Sequence, residues 1–344
     1  MISHAFCQPR LLIATAMALM GFAHVACAQE LKPIKIGWQP TTTVEAQIAH
    51  TLAKTDILEK NGLKAEMTMF SFGPAVIEAL VSGAIDVGFI GDMPSVSLAA
   101  AGGPTTVIAR QSTFRGSIIA STKSDIKSVA DLKGKSLYGP TGSAIYLAAL
   151  AMLDGAKLKP GTDVQVVNMG FADLADALKS GKIDALFVWD PWVENFVNQG
   201  LARVVASSVD LTMVVAIRDD YKGKNPEAVE KFLKSHKEAT LFAALNHDKA
   251  NAWFREPAAA QALPVDIVEK ATGFDPQWSA KSLADIRLAF SAAEKERYLG
   301  LGKQAAELKI FPAVPPLEKK TDMSVAERLD KTPWAFDPAT VKVK

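Results

Sequence analysis

ALVSGAIDVGFIGD, at residues 79–92, returns as ALKSGKIDALFVWD at residues 177–190, identical at eight of fourteen positions and offset by 98 residues. Upstream the two copies stay in step with small gaps: Phe72-Gly73 meets Phe171-Ala172, Gly62 meets Gly161, and Pro40-Thr41 meets Pro140-Thr141. Solenoid repeats run to about 20–50 residues. Repetition at this longer spacing predicts two related lobes instead.

Each copy translates into the same series of elements. IKIGW (34–38) and KSLYG (135–139) are short apolar strands ending at a Pro-Thr turn. Hydroxyls follow, Thr41 to Thr43 in the first copy and Thr141 and Ser143 in the second, just ahead of apolar-periodic stretches. Such oxygens favour helix N-caps. AEMTMFS (65–71) and VQVVNMG (164–170) read as second strands, and the helices after them end at Gly83 and Gly181. Glycine takes the left-handed backbone that stops a helix. IDVGFI (85–90) and IDALFVW (183–189) are nearly unbroken apolar runs, the pattern of parallel strands covered by helices on both faces.

Strand, helix, strand, helix, strand, written twice, predicts an α/β protein of two lobes, each a doubly wound, mostly parallel sheet. Ligand sites in such sheets lie beyond the carboxyl ends of the strands. TMVVAIR (212–218) reads as a strand returning to the first lobe. The chain then crosses twice, near residues 111–116 and 208–212, which makes a hinge between facing clefts. The expected domains are a leader at 1–28, lobe I at 29–115 with 209–344, and lobe II at 116–208. After Asn225-Pro226, a helix-start signal, the chain reads as mostly helical to about residue 310. The tail WAFDPATVKVK (334–344) reads as an extended wrap over lobe I or a frayed end.

The leader has a basic Arg10, an apolar run containing Gly21 and His24, and Ala26-Cys27-Ala28 ahead of Gln29. A membrane span needs about 20 apolar residues. This pattern is a secretory signal cut after Ala28, which sends the chain to the periplasm. Cys27 also raises lipidation, with His24 standing where an aliphatic residue is expected. Cleavage removes Cys7 and Cys27, the only cysteines, so a disulfide, a thiolate nucleophile and a thiolate-held metal are excluded. It also removes Arg10, leaving basic and acidic residues equal in number, without the basic field that nucleic acid requires.

With this order of elements the sequence resembles the substrate-binding proteins of the nitrate/sulfonate/taurine importer family. The resemblance is carried by IGWQPTTTVEAQ (36–47), FGPAVIEALVSGAIDVGFIGDMPS (72–95), YGPTGSAIYLAAL (138–150) and GKIDALFVWDPW (181–192). It implies a type II-like, two-lobed periplasmic binding protein that hands a small anion to a membrane permease driven by a cytoplasmic ATPase. It implies no catalysis and no cofactor, and a monomer is expected. Trp189-Asp190-Pro191-Trp192 resembles the aliphatic-sulfonate binders. Taurine binders carry an aspartate in the return strand, and the matching position is Met213, which cannot pair with an ammonium. An alkyl or aryl sulfonate is therefore the expected cargo. Taurine, nitrate, an aromatic carboxylate and a pyrimidine are the alternatives. A thiamine-pyrimidine synthase is disfavoured because it needs a cysteine-rich motif.

An anion is held without a full counter-charge where helix N-termini supply free amides and a partial positive charge. Such ends are expected at Thr41 to Thr43, at Gly73, near Met93 to Ser95, and at Thr141 to Ala144, with Gln39, Thr42 and Ser143 as leading contacts. The alternative is that these hydroxyls only cap their helices. Trp38, Phe72, Tyr146 and Trp189 are candidates to wall the organic part of a ligand, against plain core packing. Met213 reads as an apolar floor or as core filling. Asp92 and Asp190 close equivalent strands and either cap a helix or meet a cationic group. Arg110 and Arg115 lie near the first crossing, facing the cleft or pairing elsewhere. His50, His236 and His247 lack metal-ligand spacing. GPTGSA lacks the lysine of a phosphate-binding loop, and the S-x-x-K match at 124–127 has no supporting motif.

Overall fold

The computed structural model describes residues 1–2 and 30–344, apart from Phe72 and the side chain of Ala172. The leader and Cys27 lie outside the described residues. Leu31–Lys344 forms one unit. Its first copy runs β1 (Lys32–Trp38), α1 (Thr43–Lys54), α2 (Ile57–Lys60), β2 (Leu63–Met69), α3 (Gly73–Ser82), β3 (Val87–Gly91) and α4 (Asp92–Ala100). β4 (Thr105–Ser121) leads to the second: β5 (Ser136–Gly139), α5 (Ala144–Gly155), β6 (Gln165–Asn168), α6 (Phe171–Lys179), β7 (Ala185–Trp189) and α7 (Trp192–Asn198). β8 (Ala202–Arg218) returns, followed by α8 (Asp219–Lys224), α9 (Pro226–Leu245), α10 (His247–Phe254), α11 (Val265–Thr272), α12 (Ala292–Glu307) and α13 (Ser324–Lys331).

The apolar runs form strands because helices cover them on both sides: every residue of β3 and of β7 is buried. Gly83 and Gly181, just past α3 and α6, hold φ of 80° and 72°, the left-handed turn that ends a helix. β1 runs parallel to β2 and β3, and β5 runs parallel to β6 and β7. These triplets do not close as separate sheets. All eight strands join in the order β2-β1-β3-β8-β4-β7-β5-β6.

The join follows from β4 and β8, each 17 residues long, which pair antiparallel along their whole length. One end of the β4-β8 ribbon is flanked by β3, from Val87 opposite Ile217 to Gly91 opposite Met213. The other is flanked by β7, from Gly116 opposite Trp189 to Ala120 opposite Ala185. Residues 111–116 and 208–212 thus sit within continuous strands. Register shifts between Arg110 and Ser112 and between Phe114 and Gly116 bend the ribbon there.

The helices after β8 pack mainly on the first half, with α11 also touching α7 of the second, and the tail is tied to the first half as well. Asp56 N–H donates to the Lys342 carbonyl at 3.0 Å, and Lys344 N–H to the Lys54 carbonyl at 2.8 Å. No helix among the described residues is long and apolar enough to cross a membrane.

Candidate functional site

A cavity of about 720 Å³ lies between the two halves, with Phe114 of β4 and Met213 of β8 in its wall. Five helix starts build most of the rest. They are Gln39 to Thr42 ahead of α1, Gly73 and Pro74 of α3, Gly91 and Pro94 at α4, Pro140 to Ile145 at α5, and Gly170, Phe171 and Asp173 at α6. The first amides of a helix have no intrahelical acceptor, and its dipole places partial positive charge at that end. Among the described residues no Lys, Arg or His stands in the wall, and Asp173 is the one ionisable residue there. Helix-start amides are therefore the positive groups this wall offers among the described residues.

Thr42 and Ser143 are the N-cap residues of α1 and α5, yet neither hydroxyl makes a capping bond. Ser143 Oγ donates instead to the Pro140 carbonyl at 2.7 Å. Asn168 Oδ1, at the end of β6, takes the Thr141 N–H at 3.0 Å and ties down the turn after β5. On an anion-binding reading, Ser143→Ala is expected to weaken binding about three- to tenfold with only a small fall in the unfolding midpoint, because the hydroxyl trades a neutral acceptor for a charged one and only the difference is lost. Calorimetry on the folded variant checks this, and an unaltered affinity removes Ser143 from the site.

An aromatic wall closes one side. Trp189 Nε1 and Trp192 Nε1, from the second half, both donate to the Thr41 carbonyl of the first, at 2.8 and 3.2 Å. Phe171 packs on both indoles, with ring centroids 5.9 Å from Trp189 and 4.5 Å from Trp192. The halves also touch where a Cβ on Gly91 would stand 3.2 Å from the Ala144 Cβ, so glycine permits the close approach.

Of the residues expected from sequence, Gln39, Thr42, Gly73, Thr141, Ser143, Trp189 and Met213 line the cavity. Others stand elsewhere, and Phe72 lies outside the described residues. Trp38 is buried, its ring edge-on to His50 at 4.7 Å. At α4 it is Pro94 that faces the cavity. Successive helical residues turn by about 100°, and its neighbours point away. Met93 is in the core, and Ser95 Oγ meets the Asp92 carbonyl at 2.6 Å and Tyr298 Oη at 2.7 Å. Tyr146 packs against Phe187 at 6.1 Å.

Asp190 is fully buried and accepts Arg115 Nε at 2.7 Å and Nη2 at 2.9 Å, together with the Glu194 N–H at 3.2 Å. Asp92 accepts the Met93 and Thr212 N–H groups and Arg297. Burial pushes both carboxyls up, against the pull of their arginines. Arg110 is held by Asp275 and Glu294, each at 3.1 Å. Both crossing arginines are thus committed outside the cavity.

Sequence reasoning overlooked Phe114, Asn168, Phe171, Asp173 and the segment Pro257-Ala258-Ala259. Phe171 was within reach, since the repeat aligns it with Phe72. Residues 257–259 belong to neither copy.

The sequence pattern of the NMT1-like family matches residues 27–255, which take in every one of these helix starts. The chain belongs to the NMT1-like family. An Escherichia coli (strain K12) relative named for binding aliphatic sulfonates is 29% identical over 281 residues, 79% of this NMT1-like chain and 85% of its own. The crystal structure of the periplasmic aliphatic sulphonate binding protein SsuA from Escherichia coli is similar with a TM-score of 0.68. It is 23% identical, and the match covers 84% of this chain and 91% of that one. The desulfurization enzyme DSZB shares the fold at a TM-score of 0.64 and 15% identity, over 87% of this chain and 98% of its own. The fold of this NMT1-like protein is that of the periplasmic binding proteins, and an enzyme is also built on it.

Proposed function

We propose that this NMT1-like protein is the solute-binding subunit of an ABC importer. It captures a small organic anion, an alkyl or aryl sulfonate, in the cavity between its halves. The observation that carries the reading is a wall made of five helix starts with no cationic side chain among the described residues. A sulfonate spreads one charge over three oxygens that several neutral N–H donors can share. Phe114, Phe171, Trp189 and Met213 supply apolar surface for its organic remainder. Residues 29–115 with 209–344, and residues 116–208, act as two lobes that close by bending of the β4-β8 ribbon. The leader at 1–28 directs the protein to the periplasm, where as a monomer it meets the permease of an ATP-driven importer. On this reading it releases its cargo chemically unchanged.

Asp173 supports a second reading, in which the cargo is a zwitterion such as taurine whose ammonium meets that carboxylate. Thermal unfolding separates the two, because a ligand that prefers the native state raises the melting temperature. Butanesulfonate and benzenesulfonate are expected to raise it more than taurine, nitrate or benzoate do. A taurine shift of equal or larger size would give the site to the zwitterion and set the Met213 argument aside. No shift with any of the five would remove the anion reading.

A further inference from the structure

The wall segment Gln39 to Thr42 is anchored on a carboxyl group that solvent does not reach. Glu45 stands in the first turn of α1, is completely buried, and accepts the Gln39 N–H on Oε1 at 3.2 Å. Its Oε2 has no hydrogen-bond partner among the described residues. A carboxylate ionised there would lose its hydration without a counter-ion. It would also place negative charge within the helix start that meets the ligand's anionic end.

The neighbouring charges do not relieve it. α1 packs against α9, α10, α11 and β4. On α1 itself, burial lowers His50 to about 4, so the ring is neutral, and Lys54 pairs with Glu256. From α9, burial lowers His236 to about 3, Lys237 pairs with Asp330, and Glu238 takes Asn61 and Trp334. Glu269 of α11 holds His247 and Asn251 of α10, and Lys270 of α11 holds Glu194. Arg110 and Arg115 of β4 are committed to Asp275, Glu294, Asp190 and Glu194. None of these groups hydrogen-bonds Glu45.

We propose that Glu45 is a positioning residue held uncharged: its carbonyl oxygen fixes the Gln39 to Thr42 segment, and its neutrality leaves the positive end of α1 to the ligand's anionic group. This rests on the anion-binding reading given above. Burial pushes the Glu45 carboxyl well above the ordinary carboxylate range, with the Gln39 N–H acting against it. A group raised in the folded state contributes its full stability below its unfolded value and loses it as pH rises through the folded one. Stability and anion affinity should therefore fall together on the alkaline side. Glutamine, neutral at every pH and able to accept the same N–H, should abolish the trend.

The test measures butanesulfonate affinity by calorimetry from about pH 6 to about pH 9, a window set by the high values that buried carboxyls reach. Ligand-free urea midpoints are taken in parallel on the native protein and on Glu45→Gln. The native affinity is expected to drop about tenfold across the window as a like charge appears near the bound anion, and the native midpoint to fall with it. Glu45→Gln should bind like the native protein at the lower end and change less than about twofold across the window. Parallel profiles in two proteins that both bind, or loss of binding by Glu45→Gln at the lower end, would overturn the role of Glu45 alone. Butanesulfonate binding to neither protein at any pH would bring down the anion reading and this assignment together.

Discussion

Replacing Arg115 by methionine is expected to destabilise the fold by about 3–5 kcal/mol, the cost of stripping one partner from a buried ionic cluster. Asp190 is fully buried and takes both arms of the Arg115 guanidinium, and Glu194 accepts the same Nη2 at 2.6 Å. Arg115 also lies over the Phe274 ring, 4.6 Å from its centroid, so the lost contact is apolar as well as ionic. Without the guanidinium, the buried Asp190 carboxylate faces that of Glu194, which keeps Lys270, and the Asp190 carboxyl, already raised by burial, goes higher still. Urea unfolding of Arg115→Met checks the magnitude, and the double variant with Asp190→Asn should lose less than the sum of the single losses. A single-variant loss below about 0.5 kcal/mol would show the cluster to be energetically idle. A fallen ligand affinity with intact stability would instead make Arg115 the counter-ion of the ligand.

That cluster also explains what was legible in the sequence. The parallel triplets could be read because β3 and β7 are unbroken apolar runs and the repeat marks each strand-to-helix junction. That Gln39, Thr42 and Ser143 lie in the cavity wall could be read for the same reason, since clefts in doubly wound sheets open at junctions of this kind. Trp38, Met93, Ser95 and Tyr146 sit within a few residues of the same junctions and turn elsewhere. Position along the chain tells how near a residue is to a cleft, whereas the side it faces is decided by packing against α1, α5 and α12.

Residues 111–116, expected as a crossing, lie in the middle of β4. Its two arginines find carboxylates on α7, α12 and the segment after α11, partners far away in sequence. Register shifts absorb the irregularity of the strand. Residues 257–259 had no sequence signal at all, because only the packing of the helices after β8 brings them to the cavity.

The second large effect is expected from removing the indole donors that span the halves. Trp189→Phe combined with Trp192→Phe keeps much of the aromatic packing on Phe171 but leaves the buried Thr41 carbonyl without either N–H. An unsatisfied buried acceptor costs about 1–3 kcal/mol. Thr41 belongs to one half and both tryptophans to the other, so under the proposed closing motion this cost falls on the closed arrangement and is relieved by water when the halves part. Affinity for a ligand held by the closed form scales with the fraction of protein that can close. Butanesulfonate binding should therefore weaken about ten- to a hundredfold, chiefly through faster dissociation. Stopped-flow dissociation and calorimetry measure both quantities, and urea unfolding of the ligand-free variant should report a much smaller change. Were the ligand-free stability to fall by the full amount while dissociation stayed constant, the two indoles would be fastening a permanent interface. The halves would then not open there, and a ligand would have to enter by another route.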